Sequence, residues 1–264
     1  MIKILFIGDI VGKLGRQTVE KVLPSLKRSA RVDLVIANAE NLNHGKGASK
    51  ERVQEMINLG IDAFTSGNHI FAIDSFADEI DELPVARPAN WPEATPGKDR
   101  LVIDLGKKGK VLILNFIGRV FSDDECSSSA MITAEKILEE VQGEKYSAIL
   151  VDFHGEATSE KAAFAYNFDG RISAFLGTHT HVSTADQRIL PKGTAFVTDV
   201  GMVGSLNSSL GVSLESVIPR YKLPLPTKFE WNEEGEAVFN SVLVEIGESG
   251  KALKIERIDK FITK

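Results

Sequence analysis

Phe6-Ile7-Gly8-Asp9 ends the first apolar run of the chain on a carboxylate, and the same kind of ending recurs four times. It returns in Val35-Ile36-Ala37-Asn38-Ala39-Glu40-Asn41, Phe64-Thr65-Ser66-Gly67-Asn68-His69, Leu150-Val151-Asp152-Phe153-His154 and Phe175-Leu176-Gly177-Thr178-His179-Thr180-His181. Each run is short and rich in Ile, Val, Leu and Phe, the pattern of strands buried between helices. Loops at the carboxyl ends of strands in an α/β fold converge on one face, where ligands bind. Five loops carrying metal-binding side chains are therefore expected to build one site.

The stretches around these runs fill in the fold. Lys3 to Ile7 reads as a strand and Gly15 to Arg28 as a helix; Leu34 to Asn38 is the next strand, followed by a helix from Ser49 to Leu59. Ser49 suits the N-cap of that helix and Gly60 its C-terminal stop. Ala63 to Ser66 is a third strand. Leu83 to Gly97 holds four prolines and reads as an ordered loop, not a domain linker. Leu101 to Leu105 and Val111 to Phe116 flank Gly106-Lys107-Lys108-Gly109, which predicts a hairpin and an antiparallel turn of the sheet. Ala130 to Val141 and Ser159 to Asn167 are expected helices; Ala148 to Val151 and Ile172 to Leu176 are expected strands. After Ala195-Phe196-Val197-Thr198, two further strands are expected at Ala237 to Ile246 and Ala252 to Ile258. The sum is an α/β fold with two sheets packed face to face and helices outside.

The bulk numbers narrow the class. A length of 264 residues fits a single domain over 1–264, with loops able to form a small cap-like region. At 43% hydrophobic and 26% charged residues the chain has an ordinary globular composition. The apolar start runs into Gly8-Asp9 too soon for a membrane span or a signal peptide. The single cysteine, Cys126, cannot form an intrachain disulfide, so a cytoplasmic location is expected. A formal net charge of −6 disfavours a broad nucleic-acid surface but leaves room for a small anionic ligand. A homo-oligomer is expected, because such assemblies are common.

The ligand types point to particular metals. Carboxylate and amide oxygens mixed with imidazoles suit Mn, Fe, Co or Zn better than Ca or Mg, and a structural zinc site would need a cysteine cluster. Of five histidines, four follow these strands. Taken singly, Asp9 could cap a loop, Glu40-Asn41 could be a turn, and His154 could be a satisfied semi-buried histidine. Gly67-Asn68-His69 is sharper, since glycine permits a tight turn that sets an amide beside an imidazole. His179-Thr180-His181 is the strongest local signal, because in an extended segment both rings point to one side. His44 and Lys46 lie in a glycine-containing loop in which Lys46 could touch a phosphate or simply be solvated. Ser205 to Ser209 lacks a credible base for a serine nucleophile. Cys126 follows Ser122-Asp123-Asp124-Glu125, acids that disfavour a thiolate.

At these residues the chain resembles the calcineurin-like metallophosphoesterases, and within them it is similar to the YmdB-like bacterial phosphodiesterases. The closer match is carried by Gly8-Asp9-Ile10-Val11-Gly12, Asn38-Ala39-Glu40-Asn41, Gly67-Asn68-His69, His154-Gly155-Glu156-Ala157-Thr158-Ser159-Glu160-Lys161, Gly177-Thr178-His179-Thr180-His181-Val182 and Thr198-Asp199-Val200-Gly201-Met202. Val11 stands where the wider superfamily has a first histidine, and Glu40 where it has an aspartate, which leaves one metal with fewer protein ligands. The resemblance implies a four-layer α/β/β/α sandwich of two mixed sheets flanked by helices. It implies two divalent or trivalent transition metal ions, iron or manganese foremost, with zinc or cobalt also suited. Asp9 and His181 would hold one, Asn68, His154 and His179 the other, with Glu40 bridging and Asn41 close to the phosphate.

The activity implied is hydrolysis of small phosphodiesters, 2′,3′-cyclic nucleotides among them. Metals about 3.5 to 4 Å apart would share a hydroxide that attacks phosphorus in line with the leaving oxygen, and His69 would protonate that oxygen. Two other readings stand beside it. One is a phosphomonoesterase or nucleotidase using the same site; the other is a regulatory metal-binding protein with weak catalysis.

Overall fold

The first strand, β1 (Ile2–Ile10), is buried along its whole length except at Lys3, so it needs cover on both faces. It leads through α1 (Gly12–Ala30) to β2 (Leu34–Asn38), and then through α2 (Lys50–Asn58) to β3 (Ala63–Thr65). These strands pair in parallel, as the β then α alternation requires. Ser49 caps α2 by accepting from the Arg52 amide, and Gly60 follows at φ 103°. The short α3 (Phe76–Glu79) precedes the proline-rich loop, and β4 (Arg100–Asp104) and β5 (Lys110–Ile117) form the expected antiparallel hairpin. The computed structural model describes residues 1–122, 126–224 and 226–263, so Asp123, Asp124 and Glu125 of the polar run before Cys126 lie outside the described residues.

The second half follows with α4 (Ala130–Glu140), β6 (Tyr146–His154), α5 (Thr158–Asn167), β7 (Ala174–Thr178), β8 (Arg188–Ile189), β9 (Ala195–Val197) and β10 (Met202–Ser205). It ends with α6 (Leu214–Lys222), β11 (Ala237–Phe239), β12 (Ser241–Ile246), β13 (Ala252–Arg257) and β14 (Lys260–Ile262). Two mixed sheets result. One runs β13-β12-β1-β10-β11-β14 with β2 and β3 added beside β1, and the other runs β4-β5-β6-β7-β9-β8.

Alternation along each strand assigns its faces. Ile4 and Phe6 of β1 join Val111, Ile113, Leu150 and Leu176 of the second sheet in one apolar cluster. Leu5 and Ile7, one step out of phase, pack with Val19, Leu23 and Leu26 of α1 and Met56 of α2. On the second sheet Leu112, Leu114, Val151 and Phe153 turn toward Ile137 of α4 and Phe164 of α5. Each such side chain contributes about 1.5–3 kcal/mol when fully buried.

Three differences from the sequence reading have physical causes. Ala237 to Ile246 is two strands broken at Asn240, because the edge of β1 has two successive partners. β12 follows Ile2 to Ile7, whereas β10 takes over at Asp9 and Ile10. Asn240 bridges the change, donating to Met202 O and accepting from Gly8 N. β6 extends through His154, since its parallel pairing with β5 and β7 continues to Ile117 and Thr178. Helix α6 has no counterpart in the sequence reading: it contains Pro219, which reads as a helix breaker, and it buries only Val217.

One charged pair fastens the second sheet's functional end. Lys161 of α5 is fully buried, and its Nζ donates to Thr178 O and to Asp199 Oδ2, each at 2.8 Å. The Asp199 carboxylate also accepts from Thr180 N at 3.1 Å and Gly201 N at 2.8 Å. Removing one partner of such a pair strands the other charge in the interior. Lys161→Met is therefore expected to lower unfolding free energy by about 3–5 kcal/mol in urea denaturation, and adding Asp199→Asn should recover part of that loss.

Candidate metal centre

The five strand ends meet. Asp9 lies within β1 just after a register shift against β2, where Gly8 passes so close to the approach to β10 that a Cβ would come 1.7 Å from Gly201 O. Glu40 and Asn41 follow β2, Asn68 and His69 follow β3, His154 ends β6, and His179 and His181 follow β7. Asp9, Glu40, Asn41 and His154 are buried; His69, His179 and His181 are half-buried, and Asn68 is exposed at the rim.

Two groups of ligating atoms can each hold a metal ion. Among the described residues, Glu40, His154 and His179 place one atom each within 4.8 Å of one another, and so do Asp9, Glu40 and His181. Glu40 belongs to both. Its Oε2 lies 3.1 Å from His154 Nε2, and His154 Nε2 lies 3.0 Å from His179 Nδ1. Asp9 Oδ1 is 3.9 Å from His181 Nε2 and 3.8 Å from His154 Nδ1. Asp9 Oδ1 is also buried without a hydrogen-bond partner, a costly state for a carboxylate oxygen that a cation would relieve. The donor set and this orphaned atom fit the transition metals expected from the sequence.

Asn41 Nδ2 donates to Glu40 Oε1 at 3.2 Å and pairs with His181 Nε2 at 3.0 Å, which leaves His181 Nδ1 to donate to Leu210 O at 3.1 Å. Asn68 Nδ2 meets His69 Nε2 at 3.3 Å, while His69 Nδ1 faces Glu40 Oε1 at 3.5 Å. Lys46 is exposed and lines the same cavity as Glu40, Asn41, His69 and His181; His44 instead approaches Glu233, 3.9 Å away. Val11 is buried against Gly204 and Gly211 and offers no ligand to the centre.

Two local readings change. His179 and His181 are not an extended pair: β7 stops at Thr178, and both residues adopt positive φ, 100° and 64°. Their rings reach the centre through a contorted backbone that costs on the order of 1–3 kcal/mol per residue. Gly67 serves close approach, not a left-handed turn. A Cβ there would stand 2.0 Å from Glu40 Oε2 and 2.5 Å from His154 Nε2.

The sequence reading missed the support behind the centre. Asp152, buried in the apolar run of β6, accepts from Thr178 Oγ1 at 2.6 Å and Asn38 Nδ2 at 3.0 Å, and is also hydrogen-bonded to Thr65. Thr178 Oγ1 in turn meets His154 Nδ1 at 2.9 Å, which fixes the ring so that Nε2 faces Glu40. A carboxylate in an otherwise apolar buried strand was the available signal. Asn38 completes the frame by accepting from Glu40 N at 3.0 Å.

Without cations the charges sort themselves among these groups. Burial pushes Asp9 up from the ordinary carboxylate range, against the pull of His181 and His154. Burial would raise Glu40 too, but His154 and His69 hold it well below that range. Burial would lower His154, yet Glu40 and Asp9 keep its proton, so it is pushed up to about 9. His179, desolvated and beside His154, is pushed down to about 3. Burial raises Asp152 to about 6 despite its donors.

The family model of the YmdB-like protein matches residues 5–258. A 2′,3′-cyclic-nucleotide 2′-phosphodiesterase of Bacillus subtilis strain 168 is 43% identical over 258 residues, covering 97% of this chain and 96% of that one. The crystal structure of a novel phosphatase of Mycoplasma pneumoniae superposes with a TM-score of 0.93 at 34% identity, over 99% of this chain and 94% of that chain. A hypothetical protein from Thermus thermophilus superposes with a TM-score of 0.92 at 36% identity, over 99% and 100% of the two chains. With the family model spanning nearly the whole sequence and these relatives covered almost end to end, the chain belongs to the YmdB-like family.

Proposed function

We propose that the protein is a dinuclear-metal-dependent phosphodiesterase on a four-layer α/β/β/α sandwich, with small phosphodiesters, 2′,3′-cyclic nucleotides in particular, as its substrates. The observation that carries this reading is Glu40, shared by two groups of ligating atoms beside the unpartnered Asp9 Oδ1. The activity for which the Bacillus relative is named supports the substrate class.

When bound, the two ions supply Lewis-acid charge and an activated water near neutral pH. Asp9 and His181 are assigned to one ion, Asn68, His154 and His179 to the other, and Glu40 to both. Asn41, whose two amide N–H groups face Glu40 and His181 in the metal-free site, is assigned to donate to a phosphoryl oxygen once bound ions would take over those two partners. His69 stands one third exposed at the cleft beside the Glu40 carboxylate, and its role is to give a proton to the leaving oxygen. A phosphomonoesterase reading has one observation of its own, that the Mycoplasma relative is named a phosphatase. Turnover of 2′,3′-cyclic AMP against 3′-AMP decides between them, and exclusive turnover of the monoester would end the diesterase reading.

Three outcomes are expected. Glu40→Gln should keep the fold by circular dichroism, lose most diesterase activity and, because Glu40 belongs to both ligand groups, bind less metal in elemental analysis. His69→Ala should retain metal and slow hydrolysis by roughly two to four powers of ten for alkoxide leaving groups, with nitrophenolate esters affected least; equal losses for both would remove the proton-donor role. Metal affinity should rise with pH. In the metal-free protein His154 is pushed up to about 9, so below that pH the ion seated on it displaces one proton. Chelator competition should then show affinity climbing about tenfold per pH unit over that range.

A further inference from the structure

The cavity over the candidate metal centre has a second character. Besides Glu40, His179 and His181 it is lined by Val212, Tyr221, Phe229 and Trp231, in a volume of about 320 Å³. That volume is at the small end of the range for ligand sites, suited to one small molecule.

Trp231 is held there by the backbone. Its indole lies so close over Gly45 that a Cβ on that residue would come 2.1 to 2.5 Å from three ring atoms, and a Cβ on Gly211 would stand 3.2 Å away. Both glycines take positive φ, 84° and 98°, so other side chains are disfavoured there on conformation as well as on space. Trp231 bridges Val212 in an antiparallel pair, flanked by Ser213 N to Glu230 O at 2.7 Å and Asn232 N to Gly211 O at 3.0 Å. The same turn supplies Leu210 O to His181 Nδ1. An aromatic ring is thus fixed one turn away from a candidate metal ligand, still partly exposed and lining the cavity. Phe229 is less available, since the Arg220 guanidinium lies over its ring at 5.0 Å.

A phosphodiester site needs polar groups only at the phosphate. An aromatic wall beside it suits a flat ring carried by the same molecule. We propose that Trp231 is the specificity-determining platform on which the nucleobase of the substrate stacks. This rests on the reading of the site as one that hydrolyses nucleotide esters. Every base has a π-face, so stacking favours nucleotides over base-less esters while discriminating weakly among bases.

The test compares Trp231→Phe, which keeps an aromatic face, with Trp231→Leu, which keeps apolar bulk without one, on metal-loaded protein. The substrates are 2′,3′-cyclic AMP, 2′,3′-cyclic CMP and glycerol 1,2-cyclic phosphate. Trp231→Leu is expected to raise KM for both nucleotides about tenfold or more relative to its effect on the glycerol ester, with kcat less affected, and Trp231→Phe should restore most of the difference. Equal losses on all three esters would mean that Trp231 only supports the turn at His181, and equal KM values for Leu and wild type would mean that no stacking occurs; either overturns the proposal. A binding measurement stands apart from turnover: adenosine 3′-phosphate should quench the fluorescence of Trp231 in a Trp91→Phe background, and ribose 5-phosphate should not. If no phosphodiester is hydrolysed but quenching is seen, the diesterase reading falls and the platform stands. Absence of quenching overturns the platform whatever the activity.

Discussion

Two carboxylates, Asp9 and Glu40, are almost fully withdrawn from water within reach of the same imidazoles, and this charge problem organises the rest of the molecule. Desolvating an ionised carboxylate costs several kcal/mol even after relaxation, and two in one place add repulsion. The imidazoles answer part of it: His154 keeps its proton for Glu40, and His181 lowers Asp9 against the stronger push of burial. Asp9 Oδ1 still has no donor. An interior arranged in this way is unfavourable as a bare fold and favourable as a receptor for positive charge.

The scaffold delivers these groups through breaks in regularity. β1 changes partner from β12 to β10 at Gly8, and the change sets Asp9 with its amide bonded to Gly201 O at 3.1 Å. β7 ends, and His179 and His181 turn back through positive φ. That strained turn is held by the Lys161 and Asp199 pair, through Thr178 O and Thr180 N. Strain of this kind persists only where its surroundings over-determine it, and here a buried ion pair does so.

The fold was legible wherever a signal was local. Apolar runs marked β1, β2, β3 and β7, Ser49 and Gly60 bounded α2, and the Gly106 to Gly109 turn gave the hairpin. The two groups of ligating atoms use residues picked out from their place after strands. What escaped depends on contacts distant in sequence. The break at Asn240 follows from β10 entering beside β1, and the polar pair Asn240-Ser241 is its faint local trace. Asp152 reaches Thr65, Asn38 and Thr178 across 87, 114 and 26 residues. Positive φ at two histidines contradicts local preference, because tertiary bonds override it.

The two ligand groups are not equivalent in their support. His154 is oriented by Thr178 and Asp152 in the buried centre of the second sheet, so the group it forms with Glu40 and His179 rests on rigid elements. His181, in the group with Asp9, has its second nitrogen tied to Leu210 O, on the turn that also bears Val212 and Gly211 against Trp231. Val11 fills the adjoining space without offering a ligand. Partners that orient a ligand govern how firmly it can hold a cation. His181 is thus held from two loops, through Leu210 O on the turn beside Trp231 and through Asn41 Nδ2, whereas His154 is oriented from within the second sheet.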